Sequence, residues 1–169
     1  DGDADRLQAV DHNGNVVDGD RLLLIFADYL KEQGQLAANT VVITVMSNMG
    51  LKIALKEKGI GTLDTRVGDR YVIEGMKESG AVLGGEQSGH IVFGLDNTTG
   101  DGILSSVKLL QILKQRKRSL AELAGEMEQY PQILINVRVK DKHGWESKTE
   151  IQQAIATAQQ ELGDAGRIL

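Results

Sequence analysis

Three aspartates alternate with small residues in the run Asp1-Gly2-Asp3-Ala4-Asp5-Arg6, which we call the aspartate loop. Alternate side chains of an extended segment point to the same side, so the carboxylates of Asp1, Asp3 and Asp5 can converge on one point. Carboxylates that lie this close repel one another, and a bound cation removes the repulsion. Because the ligands are all oxygen, the run predicts a hard divalent ion, Mg²⁺ before Ca²⁺ or Mn²⁺.

Arg6 ends the aspartate loop and carries a planar fork of donors that suits a phosphate group. A metal ion beside such an arginine is typical of phosphoryl transfer, in which positioning and charge neutralisation supply most of the catalysis. An ordinary Asp/Gly surface turn explains the hexapeptide about as well. A calcium EF-hand fits poorly, because its loop needs Gly at the sixth position and Glu at the twelfth, where this chain has Arg6 and His12.

A second polar loop spans residues 84–90 and follows an apolar segment. We call it the sugar loop, because Glu86 and Ser88 can hydrogen-bond to sugar hydroxyls. His90 can move a proton or bind phosphate. The alternative is a glycine-rich turn with a solvated glutamate and a histidine packed on the next strand, and for such a turn taken alone this alternative is the stronger.

A third polar loop, the arginine loop, spans residues 66–70 and places charged side chains around Gly68. Arg66 and Arg70 could contact an anion at the start of the following helix. Alternatively, Asp69 caps that helix and both arginines face solvent. The residues themselves leave the two interpretations open.

Hydrophobic patterning predicts an α/β fold around these loops. The continuous β-branched run at 41–45 is typical of a strand buried on both faces of a parallel sheet. Strand and helix patterns then alternate up to residue 115, which favours a mostly parallel sheet. Further predicted elements are a hairpin around Asn13-Gly14, helices over 21–33, 71–78, 103–115 and 147–162, and strands over 62–67, 81–83, 91–93 and 133–140.

Composition excludes several classes of partner. The 169 residues carry a net charge of -5, so we expect no nucleic-acid partner. The sequence has no cysteine and no apolar run of membrane-spanning length, and it therefore predicts a cytoplasmic protein that does not bind membranes.

The chain begins inside a motif and without Met, which indicates an internal piece of a longer protein. Polar connectors predict three parts: residues 1–37 as the end of one domain, 38–128 as a complete domain and 129–169 as the start of another. Assigned to the first part, the helix over 21–33 would expose Leu22, Phe26 and Leu30. Such exposure would favour a homodimer.

The set of loops, taken in order, resembles the α-D-phosphohexomutase superfamily. Each loop alone is moderately specific, whereas the ordered set is highly specific, and the resemblance extends over essentially the whole chain. It implies a mixed, mostly parallel sheet with helices on both faces, after the remnant of an α/β domain and before part of an α+β domain. The segments that carry it are the aspartate loop, Thr44-Val45-Met46-Ser47-Asn48, Arg66-Val67-Gly68-Asp69-Arg70-Tyr71-Val72 and Gly85-Glu86-Gln87-Ser88-Gly89-His90.

Members of that superfamily pass a phosphoryl group from a phosphoserine to a sugar phosphate and recover the other one from the bisphosphorylated sugar. The resemblance implies that the aspartates hold Mg²⁺ beside this phosphoserine, which would lie outside the chain. It implies catalytic roles for two residues, Arg6 and His90. It also implies substrate binding by two groups of residues, Glu86 and Ser88 in the sugar loop and Arg66, Asp69 and Arg70 in the arginine loop.

Within the superfamily, three features resemble the branch that interconverts glucosamine 6-phosphate and glucosamine 1-phosphate, a step toward peptidoglycan. They are Ala4, Val45-Met46-Ser47-Asn48 and Val67-Gly68-Asp69-Arg70-Tyr71. Two alternatives remain: a phosphomannomutase/phosphoglucomutase, and a non-catalytic module that binds sugar phosphates. The isolated chain is expected to be inactive, because the phosphoryl donor is missing. It is also expected to bind Mg²⁺ weakly or not at all, because Asp1 would carry a charged α-amino group.

Overall fold

A computed structural model describes residues 2–139, 141, 143–163 and 166–169. The chain forms two compact units, Asp1–Tyr130 and Pro131–Leu169. In the part of the chain that the structure describes, no helix combines the length and apolar character needed to cross a bilayer.

The first unit opens with a small antiparallel hairpin of β1 (Ala9–Val10) and β2 (Val16–Val17). The side chain of Asp11 closes its turn by accepting hydrogen bonds from the backbone N–H groups of Asn13 and Asn15 at 2.8 and 2.9 Å. The backbone hydrogen bonds to Asp11 and the bond from the Asn15 side chain lower the pKa of the Asp11 carboxyl. The Asn13-Gly14 hairpin is confirmed.

A four-stranded sheet forms the centre of the first unit, in the order β4-β3-β5-β6. The strands β3 and β4 are parallel, as are β3 and β5, whereas β5 and β6 form an antiparallel pair. The predicted mixed, mostly parallel sheet is therefore confirmed. The strands are β3 (Thr40–Thr44), β4 (Gly61–Thr65), β5 (Leu83–Gly85) and β6 (Ile91–Phe93).

Helices cover both faces of this sheet. Alternate residues of β3 point to opposite faces: Val41 and Ile43 lie in the larger apolar core, and Val42 lies in the smaller one. The larger core holds α1 (Gly19–Glu32), α2 (Met49–Glu57), α4 (Gly102–Arg116) and α5 (Leu120–Ala124), and the smaller holds α3 (Asp69–Ser79).

The helix α1 is part of this core. Leu22, Phe26 and Leu30 are at most 8% exposed, and the ring of Phe26 packs edge-on against that of Phe93 in β6 with centroids 4.9 Å apart. The prediction that this helix exposes its apolar face is therefore wrong, because the face packs on the neighbouring sheet. The assignment of the chain to parts of three domains stays a prediction.

The second unit contains α6 (Thr149–Leu162), preceded by a 3₁₀ turn at Trp145–Ser147. The predicted helix over 147–162 is confirmed with a slightly later start. The strand predicted over 133–140 is wrong for residues 133–139, which have no regular structure and are exposed; Lys140 lies outside the described residues. A strand needs a hydrogen-bonded neighbour, and none of the described residues pairs with this segment.

Candidate functional site

The aspartate loop lies beside the sugar loop, and its aspartates differ in their surroundings. Asp3 is exposed and Asp5 is partly buried, while Asp1 lies outside the described residues. The Oδ1 atom of Asp5 is buried and has no hydrogen-bond partner among the described residues; the Nε atom of Arg6 lies 3.8 Å from it. Among the described residues, no cluster of three or more His, Cys, Asp or Glu side chains is arranged to hold a metal ion.

The imidazole of His90 is 4% exposed and faces the aspartate loop. Its Nε2 atom lies 3.7 Å from the Oδ2 atom of Asp5, and its Nδ1 atom is buried and forms no hydrogen bond within the part of the chain that the structure describes. Gly100 packs directly on the ring, since a Cβ atom at that position would lie 2.4 Å from Nε2. The histidine ring thus lies between the carboxylate of Asp5 and the backbone of Gly100, which can come this close to the ring because glycine has no Cβ atom.

Main-chain pairing joins the start of the chain to the sugar loop. Arg6 and His90 form an isolated antiparallel bridge, and the N–H of Leu7 donates to the carbonyl of Gly89 at 3.0 Å. The side chain of Gln8 adds a 2.7 Å bond to the carbonyl of Ser88. Two segments far apart in sequence therefore meet at one place.

The sugar loop is a tight turn between β5 and β6. The N–H of Glu86 donates to the carbonyl of His90, and the N–H of Gly89 donates to the carbonyl of Glu86, both at 3.0 Å. Gly89 has a φ of +92°, and a Cβ atom there would lie 2.1 Å from the carbonyl oxygen of Leu7. Both the positive φ and the lack of space for a Cβ atom require glycine at this position. Glu86 is half-buried and Ser88 is exposed.

The arginine loop reaches the sugar loop through its main chain. The N–H of Gly68 donates a 3.0 Å hydrogen bond to the Oε1 atom of Glu86. The charged side chains of this loop, those of Arg66, Asp69 and Arg70, are exposed. Arg70 forms a 2.8 Å ion pair with Glu74 in the next turn of α3, and this hydrogen bond raises the pKa of the guanidinium.

The sequence did not reveal that α4 also holds the aspartate loop. The N–H of Gly102, the first residue of α4, donates to the carbonyl of Ala4 at 2.8 Å. A Cβ atom on Gly102 would lie 2.3 Å from the carbonyl oxygen of Arg6. Asp101 caps the helix by accepting from the N–H of Leu104 at 2.8 Å. The Asp101-Gly102 pair is the only local signal in the sequence for this contact.

These contacts place the site at one edge of the sheet. The segments that follow β3, β4 and β5 leave the sheet at the carboxyl ends of parallel strands, where α/β domains bind ligands. Asp5 presents a buried carboxylate oxygen that accepts no hydrogen bond from the described residues, and such an oxygen is a ligand that hard cations prefer. The imidazole of His90 and the guanidinium of Arg6, which lie 3.7 and 3.8 Å from the Asp5 carboxylate, are groups that can donate hydrogen bonds to an anion.

The fold and the site therefore define an α/β ligand-binding domain with its loops gathered at the carboxyl edge of the sheet. The chain belongs to the phosphoglucomutase/phosphomannomutase family, because the model of that family's alpha/beta/alpha domain III matches residues 18–130.

Curated relatives named phosphoglucosamine mutase match the whole chain. It is 54% identical over 169 residues to a phosphoglucosamine mutase of Desulforamulus reducens and covers 38% of that protein. It is 55% identical to a phosphoglucosamine mutase of Heliobacterium modesticaldum, again over its entire length, and covers 37% of it. The chain thus spans well under half the length of these curated relatives.

Solved structures agree on the fold. A phosphoglucomutase/phosphomannomutase family protein of Burkholderia thailandensis is 31% identical with a TM-score of 0.66, over 73% of this chain and 27% of that protein. The N-acetylphosphoglucosamine mutase of Aspergillus fumigatus, in complex with GlcNAc-6P and magnesium, has a TM-score of 0.78 at 20% identity, over 95% of this chain and 43% of that protein. At 20% identity, the similarity to the Aspergillus protein shows the fold alone.

Proposed function

We propose that the chain is part of a phosphoglucosamine mutase, which interconverts glucosamine 6-phosphate and glucosamine 1-phosphate through a phosphoserine and a bisphosphorylated sugar. The observation that carries the proposal is the convergence of the aspartate loop and the sugar loop, where His90 lies 3.7 Å from Asp5. Identity of 54% over the whole chain to a protein of that name supports it. The phosphoserine would belong to a part of the protein outside this chain.

Asp1, Asp3 and Asp5 are proposed to hold Mg²⁺. The ion would neutralise charge on the phosphoryl group as it is transferred. The buried Oδ1 atom of Asp5, which accepts no hydrogen bond from the described residues, supports this assignment. Arg6, whose side chain is half-exposed, would contact the phosphate that lies beside the aspartates.

Glu86 and Ser88 are proposed to bind sugar hydroxyls, and His90 to lie next to the transferred group. Burial of His90 between Asp5 and Gly100 keeps its ring in one orientation, as a group that hydrogen-bonds to a reacting oxygen requires. The exposed side chains of the arginine loop are also proposed to bind the substrate; they are Arg66, Asp69 and Arg70.

A phosphomannomutase/phosphoglucomutase is the second candidate, because the family model carries that description. The sugar loop does not distinguish an amine from a hydroxyl at the second carbon of the sugar, since a carboxylate accepts from either group. The third candidate, a sugar-phosphate-binding module without catalysis, is favoured only if the intact protein binds without turnover. A cytoplasmic location is proposed from the absence of cysteine.

The complete protein that contains this chain would be assayed with glucosamine 6-phosphate, mannose 6-phosphate and glucose 6-phosphate. We expect the highest kcat/KM with glucosamine 6-phosphate and its loss in Asp3→Ala. Asp96→Ala is the matched control, since Asp96 pairs with Lys108 on α4, and should retain the rate. A preference for mannose 6-phosphate would support the second candidate, and tight binding without turnover would support the third.

The isolated residues 1–169 provide a further test, because we expect them to be inactive for lack of a phosphoryl donor. A measurable mutase rate from this piece would contradict the proposed reaction path through an external phosphoserine.

A further inference from the structure

We propose that Gly68 is a positioning residue for Glu86, and that its backbone amide fastens the arginine loop to the sugar loop so that both act on the ligand together. The inference rests on the proposed function only in taking Glu86 as the group that contacts the sugar. The two loops follow different strands, β4 and β5, which are separated in the sheet by β3.

The contact is a charge-assisted hydrogen bond. The N–H of Gly68 lies 3.0 Å from the Oε1 atom of Glu86, and an ionised acceptor makes such a bond about twice as strong as a neutral one. Gly68 is also the N-cap residue of α3, directly before the first helical residue Asp69, so the positive end of the helix dipole favours the carboxylate. The bond uses one oxygen of Glu86, and the second oxygen can accept a hydrogen bond from a sugar hydroxyl.

The backbone of Gly68 has a conformation that only glycine adopts easily, with φ of 129° and ψ of 133°. Space does not impose this requirement, because a Cβ atom would come no closer than 3.4 Å to the ring of Tyr71. The requirement is therefore conformational, and it sets the direction of the N–H toward Glu86.

Glu86 is also held at its own backbone. Its N–H and its carbonyl both take part in the tight turn of the sugar loop, through bonds of 3.0 Å to His90 and Gly89. With the backbone fixed by the turn and the side chain fixed by Gly68, the carboxylate has one orientation before any ligand arrives. Such preorganisation lowers the cost of ordering the site on binding.

The hydrogen bond itself can be tested without measuring activity. In the complete protein labelled with ¹⁵N-glycine, we would measure exchange of the Gly68 amide in Glu86→Gln, which keeps an acceptor oxygen, and in Glu86→Ala, which removes it. We expect exchange to become about ten-fold faster in Glu86→Ala and to change much less in Glu86→Gln. Equal exchange rates in the wild type and Glu86→Ala would overturn the proposal.

Its consequence for binding can be tested with Gly68→Ala. The matched control is Gly80→Ala at the other end of α3, where φ is +74° and no atom lies within 4 Å. Both variants strain the backbone, but only Gly68→Ala should raise KM for the sugar phosphate, by about ten-fold. An equal KM in the two variants would overturn the proposal, whatever their melting temperatures.

The amide-exchange experiment and the KM experiment together separate this inference from the proposed function. If the wild type turns over none of the sugar phosphates, the proposed function fails, whereas the exchange of the Gly68 amide still decides whether the contact to Glu86 exists. If Gly68→Ala does not fold, the exchange of the Gly68 amide in the Glu86 variants still tests the contact.

Discussion

The imidazole of His90 and the carboxylate of Asp5 face each other across 3.7 Å, between the Nε2 and Oδ2 atoms. His90 ends the sugar loop near the middle of the sequence, and Asp5 belongs to the aspartate loop near its start. The pair connects the proposed metal ligand to the proposed sugar site. Several measurable properties of the protein should depend on it.

Replacing Asp5 by Asn should weaken Mg²⁺ binding at least about ten-fold, because the change removes a charged ligand and leaves the shape of the side chain nearly unchanged. Isothermal titration of the complete protein with Mg²⁺ would measure the affinity. Asp96→Asn, which alters an exposed carboxylate paired with Lys108, should bind the ion like the wild type. Unchanged affinity in Asp5→Asn would exclude Asp5 as a ligand.

Gly100→Ala should displace the His90 ring, because the added Cβ atom would lie 2.4 Å from Nε2. We expect a loss of about 1–3 kcal/mol in the free energy of unfolding and a lower mutase rate. Urea denaturation of the single variants and of the double variant with His90→Ala would form a mutant cycle. With the ring removed, Gly100→Ala should cost little; an undiminished cost would show that the ring is not the obstacle.

Asn48→Ala should destabilise the first unit by about 2–4 kcal/mol. The side-chain oxygen of Asn48 accepts from the N–H groups of Gly50 and Tyr130, both at 3.0 Å, and its Nδ2 donates to the carbonyl of Tyr130 at 2.8 Å. The residue is 2% exposed, so its loss leaves buried groups unpaired. Urea denaturation would measure the change.

The comparison for Asn48 is Ser119→Ala, which removes the capping box of the short helix α5 on the surface. That variant should lose about 1 kcal/mol. Equal losses in the two variants would mean that Asn48 acts only as a helix cap and that its bonds to Tyr130 contribute nothing.

Acid should weaken the ion pairs around Glu126. Burial alone would raise the pKa of its carboxyl, but hydrogen bonds from Lys58, at 2.9 Å, and from Arg118 outweigh burial and lower the pKa. A lowered carboxyl pKa in the folded state gives stability that is present above the ordinary glutamate pKa and is lost as pH falls through the folded value.

Urea denaturation between pH 7 and pH 3 would test this linkage. The difference in unfolding free energy between the wild type and Glu126→Gln should shrink as the pH falls, because the variant has no carboxyl to protonate at this position. Glu74→Gln provides a control on an exposed ion pair with Arg70. A difference that stays constant over this range would contradict the lowered pKa of Glu126.

Local patterns in the sequence predicted much of the fold. The β-branched run at 41–45 became the central strand β3, since such residues suit a strand covered on both faces. Asn48 caps α2 as expected of that residue type at that place. The sequence also indicated the aspartate, arginine and sugar loops as candidate site segments. Carboxylate, guanidinium, hydroxyl and imidazole groups can be recognised from the residue types alone.

Other features depend on partners that no local pattern specifies. The apolar side of α1 was visible in the sequence, but the surface it covers, Phe93 among others, belongs to a distant segment. The alternating residues at 133–139 suit a strand, yet a strand forms only where a neighbour pairs with it. The bond from Gly68 to Glu86 involves a backbone N–H, which every residue except proline possesses, so nothing in the residue types indicates it.

The loops of the site are joined to one another mostly through their backbones, as the pairs Leu7–Gly89, Gly19–Gln87 and Gly102–Ala4 illustrate. Each of these pairs contains one glycine, and the other residue contributes only its backbone. Its side chain can therefore be replaced without loss of the hydrogen bond. Exposed side chains such as Ser88 or Arg66 can therefore be exchanged to suit a different ligand, while the backbone bonds that join the loops are kept.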